Sequence, residues 1–217
     1  MACESRRNLL SALAPTPGFD TKSREKLRDR FFPNVELTTH EGKKVRFYDD
    51  LIKDKIVVIN FMYADCEGIC PAITSNLVQA QRLLGERVGR DIFMYSLTLR
   101  PEKDTPEALK HYAKMHGVKP GWLFLTGKPE DLEKLRRSLG FSTSNLKLDQ
   151  DRKNHIGMVK YGNERREWWG MCPGKANPGW IVESILWMDD TKQKQFHKVA
   201  EAPDNRQESL QTKGVRK

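Results

Sequence analysis

Ile56-Val57-Val58-Ile59-Asn60-Phe61-Met62 is a nearly unbroken run of β-branched and large apolar residues. A strand with one wet face alternates apolar with polar, so this run predicts a strand covered on both faces. Such a strand needs helices above and below its sheet. Ile73, Leu77, Ala80 and Leu84 recur at helical spacing until Gly85 stops them. Ile92–Leu99 repeats the buried-strand pattern, and Thr105-Pro106-Glu107 opens a helix through Met115. Trp122–Leu125 predicts a third short strand, and Pro129–Leu139 a third helix ended by Gly140. Val35–Thr38 and Lys44–Phe47 flank His40-Glu41-Gly42 as a hairpin. His155–Tyr161 and Arg165–Trp169 predict another, turning at Gly162-Asn163, before a last helix over Pro178–Met188. Trp168, Trp169, Trp180 and Trp187 gather around that end and read mostly as core, with one ring left for a partner. This order predicts an α/β fold with a mixed sheet flanked by helices and an N-terminal hairpin.

Charge divides the chain into a domain and two ends. The formal net charge is +9. Residues 1–30 carry +3 and residues 191–217 carry +4, which leaves +2 on residues 31–190. Residues 14–30 are rich in Pro, Gly and charge, and residues 191–217 offer only Phe196, Val199, Leu210 and Val215 as large apolars. Both ends read as flexible, and 31–190 as one domain. A nucleic-acid module concentrates basic residues on folded elements, so that class is set aside. The basic ends suit an acidic partner or an anionic membrane surface instead. No run approaches the ~18 apolar residues of a membrane span. Ser5-Arg6-Arg7-Asn8-Leu9-Leu10 resembles the start of a twin-arginine export signal, though its apolar stretch stops at Pro15. The reading is an export remnant or an ordinary arm.

The chemistry lies in Tyr63-Ala64-Asp65-Cys66-Glu67-Gly68-Ile69-Cys70-Pro71, between the strongest strand and a helix. Active residues in such sheets collect at the carboxyl ends of strands. Cysteines at i and i+4 around a helix start face the same way, and the helix dipole favours a thiolate there. The pair can close a disulfide or hold a soft metal. Structural zinc needs four ligands, and the other two cysteines, Cys3 and Cys172, stand alone in the sequence. Met171-Cys172 falls in the expected loop before the last helix, as an auxiliary soft-metal pair or an unpartnered thiol. His155 precedes the alternation Ile156, Met158, Lys160, which predicts a strand edge. His40 falls in the hairpin turn, and His111 and His116 on a solvated helix face.

Phe32-Pro33, the strand Val57–Met62 and Cys66-x-x-x-Cys70-Pro71 together resemble the Sco/SenC family of copper-binding, thioredoxin-fold proteins. Ser96–Glu107 resembles that family's second motif, roughly S-x-x-x-D-P-x-x-D-T-P, and His155 falls where the family keeps a late histidine. The resemblance implies a thioredoxin-like, peroxiredoxin-related sheet with copper on Cys66, Cys70 and His155. Two thiolates and an imidazole select Cu(I) and can also hold Cu(II). It implies a metallochaperone serving the copper-site subunit of a respiratory oxidase, or another cuproprotein. It also implies an extracytoplasmic setting: periplasmic or membrane-associated in bacteria, the intermembrane space if mitochondrial. Family members are usually tethered by one helix, so this chain is expected to be trimmed or a soluble exported form. Three positions depart from the pattern. Asn154 stands for the usual Asp before the histidine, Ile156 for a small hydroxyl residue after it, and Arg100 for the Asp of the second motif. Such neighbours tune metal affinity and partner choice.

The competing function is a thiol–disulfide oxidoreductase using Cys66 and Cys70. Thioredoxin-like reductases carry a tighter C-x-x-C and a late cis-proline, whereas here no proline lies between Leu146 and Gly170. A third reading is an adapter with a structural Cys66–Cys70 disulfide and basic docking ends.

Overall fold

The computed structural model describes residues 21–145, 149 and 157–189. Its elements are α1 (Thr21–Phe31), β1 (Glu36–Thr39), β2 (Lys44–Arg46), a π-type turn (Phe47–Ile52), β3 (Ile56–Met62), α2 (Cys70–Leu84) and β4 (Ile92–Thr98). Then come α3 (Pro106–Met115), β5 (Trp122–Gly127), α4 (Pro129–Ser138), β6 (Met158–Asn163), β7 (Trp168–Pro173) and α5 (Pro178–Leu186). Among the described residues the strands form one sheet in the order β2-β1-β5-β4-β3-β6-β7. β3, β4 and β5 run parallel, while β1 lies antiparallel on β5, and β6 antiparallel on β3. The mixed α/β sheet expected from the sequence is the one present.

Alternation along β3 explains its apolar run. Val58 and Met62 enter a core with Leu77 of α2 and Ile181 and Ile185 of α5. Val57, Ile59 and Phe61 enter the opposite core, with Phe47, Ile52, Leu132 and Leu135. Each such side chain contributes about 1.5–3 kcal/mol of burial. Asn60, the one polar residue of the run, is 3% exposed. Its side-chain oxygen accepts the Ser96 hydroxyl at 2.7 Å, and Ser96 accepts the Trp122 indole N–H at 2.9 Å. That chain ties the three parallel strands together and gives the Asn60 carbonyl, the Ser96 hydroxyl and the Trp122 indole their partners.

Three local expectations are corrected. The late hairpin does not turn at Gly162-Asn163, because both residues close β6; the turn is Glu164–Arg166 with Glu167 in the left-handed region at φ 54°. Gly162 is there for close approach: a Cβ would sit 2.3 Å from Trp169 Cε3. The turn-like composition came from packing. Secondly, β7 extends through Pro173, so Met171 and Cys172 belong to a strand rather than a loop. Thirdly, Trp180 and Trp187 are 49% and 55% exposed, since α5 buries Ile181, Val182 and Ile185 on its other side. Trp168 and Trp169 are half-buried, and the tryptophan of the core is Trp122.

The charge-rich run Thr21–Phe31 forms α1, although it shows little periodicity. It is built from good helix formers. Arg28 lies over the Tyr48 ring at 4.8 Å, and the following Phe32 packs on Trp169 at 4.4 Å. No helix among the described residues is long and apolar enough to cross a membrane.

Candidate metal centre

β3 hands the chain to a loop at Tyr63, and α2 begins at Cys70 with Pro71 in its first turn. The loop therefore stands at the carboxyl end of a central strand. Cys66 and Cys70 are 7% and 1% exposed, and both are in the thiol form. Ile69, at the cap of α2, offers no capping side chain. The Cys66 sulfur takes that role, accepting the backbone N–H groups of Gly68 and Cys70.

The two thiols are driven apart electrically. Burial opposes ionisation of Cys66, but hydrogen bonds from the Tyr63 hydroxyl, the Cys70 thiol and those N–H groups outweigh it and hold the thiol below its ordinary value. Burial, then the neighbouring Cys66 sulfur, pushes Cys70 up. Burial and the bond to Cys66 likewise keep the Tyr63 hydroxyl protonated, as a donor. Cys66 is thus the more nucleophilic sulfur. Tyr63→Phe removes a donor, so the pH midpoint of Cys66 alkylation by iodoacetamide is expected to move upward; an unmoved midpoint would mean the hydroxyl does not serve the thiolate.

A second layer holds the loop. Asp104 is 2% exposed and accepts the Thr98 hydroxyl and the Ala64 N–H, the latter at 3.3 Å. Burial raises its pKa, while those two donors oppose the rise. Arg100 Nη1 donates to both Asp65 oxygens, at 2.9 and 3.1 Å, and its guanidinium lies 4.2 Å from the Tyr63 ring centre. Under α2, the Thr74 and Tyr112 hydroxyls share a 2.9 Å hydrogen bond. Sequence reasoning did not single out Tyr63, Asp104 or Tyr112 as parts of the site. Asp104 was open to detection as the acid that survives in the second motif beside the substituted Arg100.

Cys66 and Cys70 are brought together as expected. His155, with Asn154 and Ile156, lies outside the described residues, as does Cys3. Among the described residues, no group of three His, Cys, Asp or Glu side chains is arranged to hold a metal. Met171 and Cys172 do not form a soft pair, because neighbours on a strand point to opposite faces. Cys172 is fully buried in the α2–α5 core, whereas Met171 packs in the other core. Burial raises the Cys172 thiol to about 11, a structural rather than reactive thiol. His40 is more than a turn residue: its Nδ1 accepts the Phe124 N–H at 3.1 Å. His111 is exposed, and His116 packs on Tyr112 with ring centres 4.2 Å apart.

Comparison with known proteins adds an independent line. The SCO1/SenC family model matches residues 23–188. The SCO1 protein homolog of Bacillus subtilis is 32% identical over 107 residues, 48% of this chain and 54% of the relative. The chain thus spans about half the length of the curated relatives it matches. Among solved structures, Arabidopsis thaliana ScoI with copper bound superposes with a TM-score of 0.58 at 19% identity, over 73% of this chain and 97% of that one. BsSco, described as a member of the Sco family of cytochrome c oxidase assembly proteins with a disulfide switch, superposes with a TM-score of 0.57 at 21% identity, covering 70% and 88%. These likenesses extend the α/β arrangement to a thioredoxin-like fold. With a cysteine pair on a strand-to-helix turn and a family match across most of its length, the chain belongs to the SCO1/SenC family.

Proposed function

We propose that the protein binds copper through Cys66, Cys70 and His155 and passes it to a cuproprotein, in the first instance the copper-site subunit of a respiratory oxidase. The observation that carries this reading is the buried thiol pair at the start of α2, with one sulfur already bonded by backbone N–H groups. Two thiolates suit Cu(I), and a neutral imidazole completes a set that also accommodates Cu(II). Gly157 supports the histidine: a Cβ there would lie 2.8 Å from Ile69 Cδ1, beside the turn that bears Cys70. The copper-bound and oxidase-assembly relatives point to the same chemistry.

The reading extends to place and partner. The protein works outside the cytoplasm, in a periplasmic, membrane-associated or intermembrane-space setting. Residues 31–190 form the working domain, and the basic arms 1–30 and 191–217 meet an acidic partner or an anionic membrane face. Titration of the reduced protein with Cu(I) against a competing chelator tests the core of this. One tightly held copper per chain is expected, with affinity falling in His155→Ala by more than the roughly 10–100-fold that losing a hydrogen-bond partner of a ligand typically costs. Absence of binding, or an unchanged affinity in that variant, overturns the ligand set.

The split between the two thiols also supports a thiol–disulfide exchange reading. The Cys66 thiolate would attack a partner disulfide, and Cys70 would then displace the reduced partner, leaving a Cys66–Cys70 disulfide. Dithiothreitol-driven insulin reduction that survives His155→Ala would place this activity first. Inertness in both assays leaves the adapter.

A further inference from the structure

Arg100 is the residue by which this chain departs from the family's second motif, and the position it takes is specific. It comes just after β4, where its backbone N–H donates to the Thr98 hydroxyl at 2.8 Å. The same Thr98 hydroxyl donates to buried Asp104, whose carboxylate holds the Ala64 N–H of the cysteine loop. The base of Arg100 is therefore fastened to the framework that fixes the loop. Its head reaches across to the loop itself. One terminal nitrogen takes both oxygens of Asp65, and the guanidinium covers the Tyr63 ring at 4.2 Å. The side chain is 21% exposed, so it covers the ring rather than waving over it. Lys103 adds a longer contact to Asp65 at 3.4 Å.

Tyr63 is the next link. Its hydroxyl reaches the Cys66 sulfur. A phenol ring has freedom about two side-chain torsions, and a planar cation on its face favours one placement. Tyr63 and Asp65 flank Ala64, so the guanidinium grips the loop on both sides of the residue that Asp104 holds from beneath.

We propose that Arg100 is a positioning residue for the cysteine pair: clasped to Asp65 and stacked on Tyr63, it holds the tyrosine hydroxyl on the Cys66 sulfur and so sets the hydrogen bond which that sulfur retains when it ligates a metal. This rests on the metal-binding reading above. The guanidinium carbon lies over the ring while one terminal nitrogen reaches Asp65, two contacts that a lysine's single ammonium cannot make together. The acid usual at this position has no cation to place over a ring, so the clasp belongs to this chain's own pairing of Arg100 with Asp65.

The test has one arm with copper and one without. A hydrogen bond to a metal-bound sulfur lowers its donor strength, and its loss moves the sulfur-to-copper charge-transfer band to lower energy. In the Cu(II)-loaded protein, Tyr63→Phe and Arg100→Leu are expected to shift that band in the same direction, with no further shift in the double variant. Arg100→Lys should behave like Arg100→Leu. Asp65→Asn, at an exposed position, opens the clasp without touching Arg100 and should move the band part of the way. A band unmoved by Arg100→Leu while Tyr63→Phe moves it, or one restored by Arg100→Lys, overturns the proposal. In the metal-free protein, the Tyr63 contribution to the tyrosine Raman doublet reports the hydroxyl's hydrogen bond directly. Its change in Arg100→Leu supports the clasp, and its constancy overturns it. A wild-type chain that takes up no copper defeats the metal-binding reading, while the Raman arm still decides what Arg100 does.

Discussion

Cys70→Ser is expected to abolish stoichiometric Cu(I) binding. Serine keeps the shape but replaces a soft thiolate by a hard hydroxyl that stays protonated, leaving Cys66 as the only thiol at the turn. The substitution also puts a hydroxyl where the native sulfur is 1% exposed, so stability falls by about 1–2 kcal/mol. Cys172→Ser supplies the control. That sulfur is equally buried, but in β7, so its loss should lower stability in the same way and leave copper stoichiometry intact. Chelator competition and urea unfolding on both variants separate the two effects. Wild-type copper affinity in Cys70→Ser, or equal loss of copper in Cys172→Ser, would sink the assignment.

Arg136→Met is expected to lower stability by about 3 kcal/mol at neutral pH. Arg136 donates to both Asp149 oxygens, at 2.8 and 2.6 Å, to Glu133 at 2.8 and 2.9 Å, and to the Phe141 carbonyl at 2.8 Å. Both partners of the main pair are enclosed, with side-chain exposures of 12% and 4%. Removing that cation leaves the enclosed carboxylate with the Thr143 N–H at 2.8 Å and only the more distant Arg137 guanidinium, at 3.7 Å. The direction of the shift sets the pH dependence: Arg136, helped by the Thr143 N–H, holds the Asp149 carboxyl far below the usual carboxylate range, against its burial. A depressed carboxyl stabilises the fold above its unfolded pKa of about 3.9, and that stabilisation is lost as pH falls through the lower folded value. The gap between wild type and Arg136→Met should therefore be widest near neutrality and close below about pH 4. A gap independent of pH would show that lost packing, rather than the ion pair, was responsible.

Much of the frame was legible because periodicity is a local signal. The β3 and β4 runs, the Ile73–Leu84 spacing of α2 and the proline-started helices α3 and α4 all appear where their patterns fall. The failures share a cause. Gly162-Asn163 has the composition of a turn, yet lies within β6 because Trp169 packs across the glycine. Met171-Cys172 reads as loop because β7 shows no alternation: Trp168 to Met171 are half-buried on both faces and only Cys172 is sealed in a core. Trp180 and Trp187 read as core by residue type, but the aliphatic residues of α5 take that face instead.

The sequence by itself determined the fold class, the pairing of Cys66 with Cys70 and the family, since an unbroken apolar strand and a four-residue spacing at a helix start each allow few arrangements. It also marked Arg100 as a departure from the family's motif, without revealing which groups that side chain would meet. Only the tertiary structure decided that the two cysteines are unequal, that Cys172 and Met171 face different cores, and that Arg100 closes over Tyr63 and Asp65. The physical reason is that sulfur reactivity depends on burial and on which donors converge. Those donors come from Tyr63, Gly68 of the loop and Cys70 at the start of α2, and what holds Tyr63 comes from the loop after β4, brought to one point only when β3 and β4 pair.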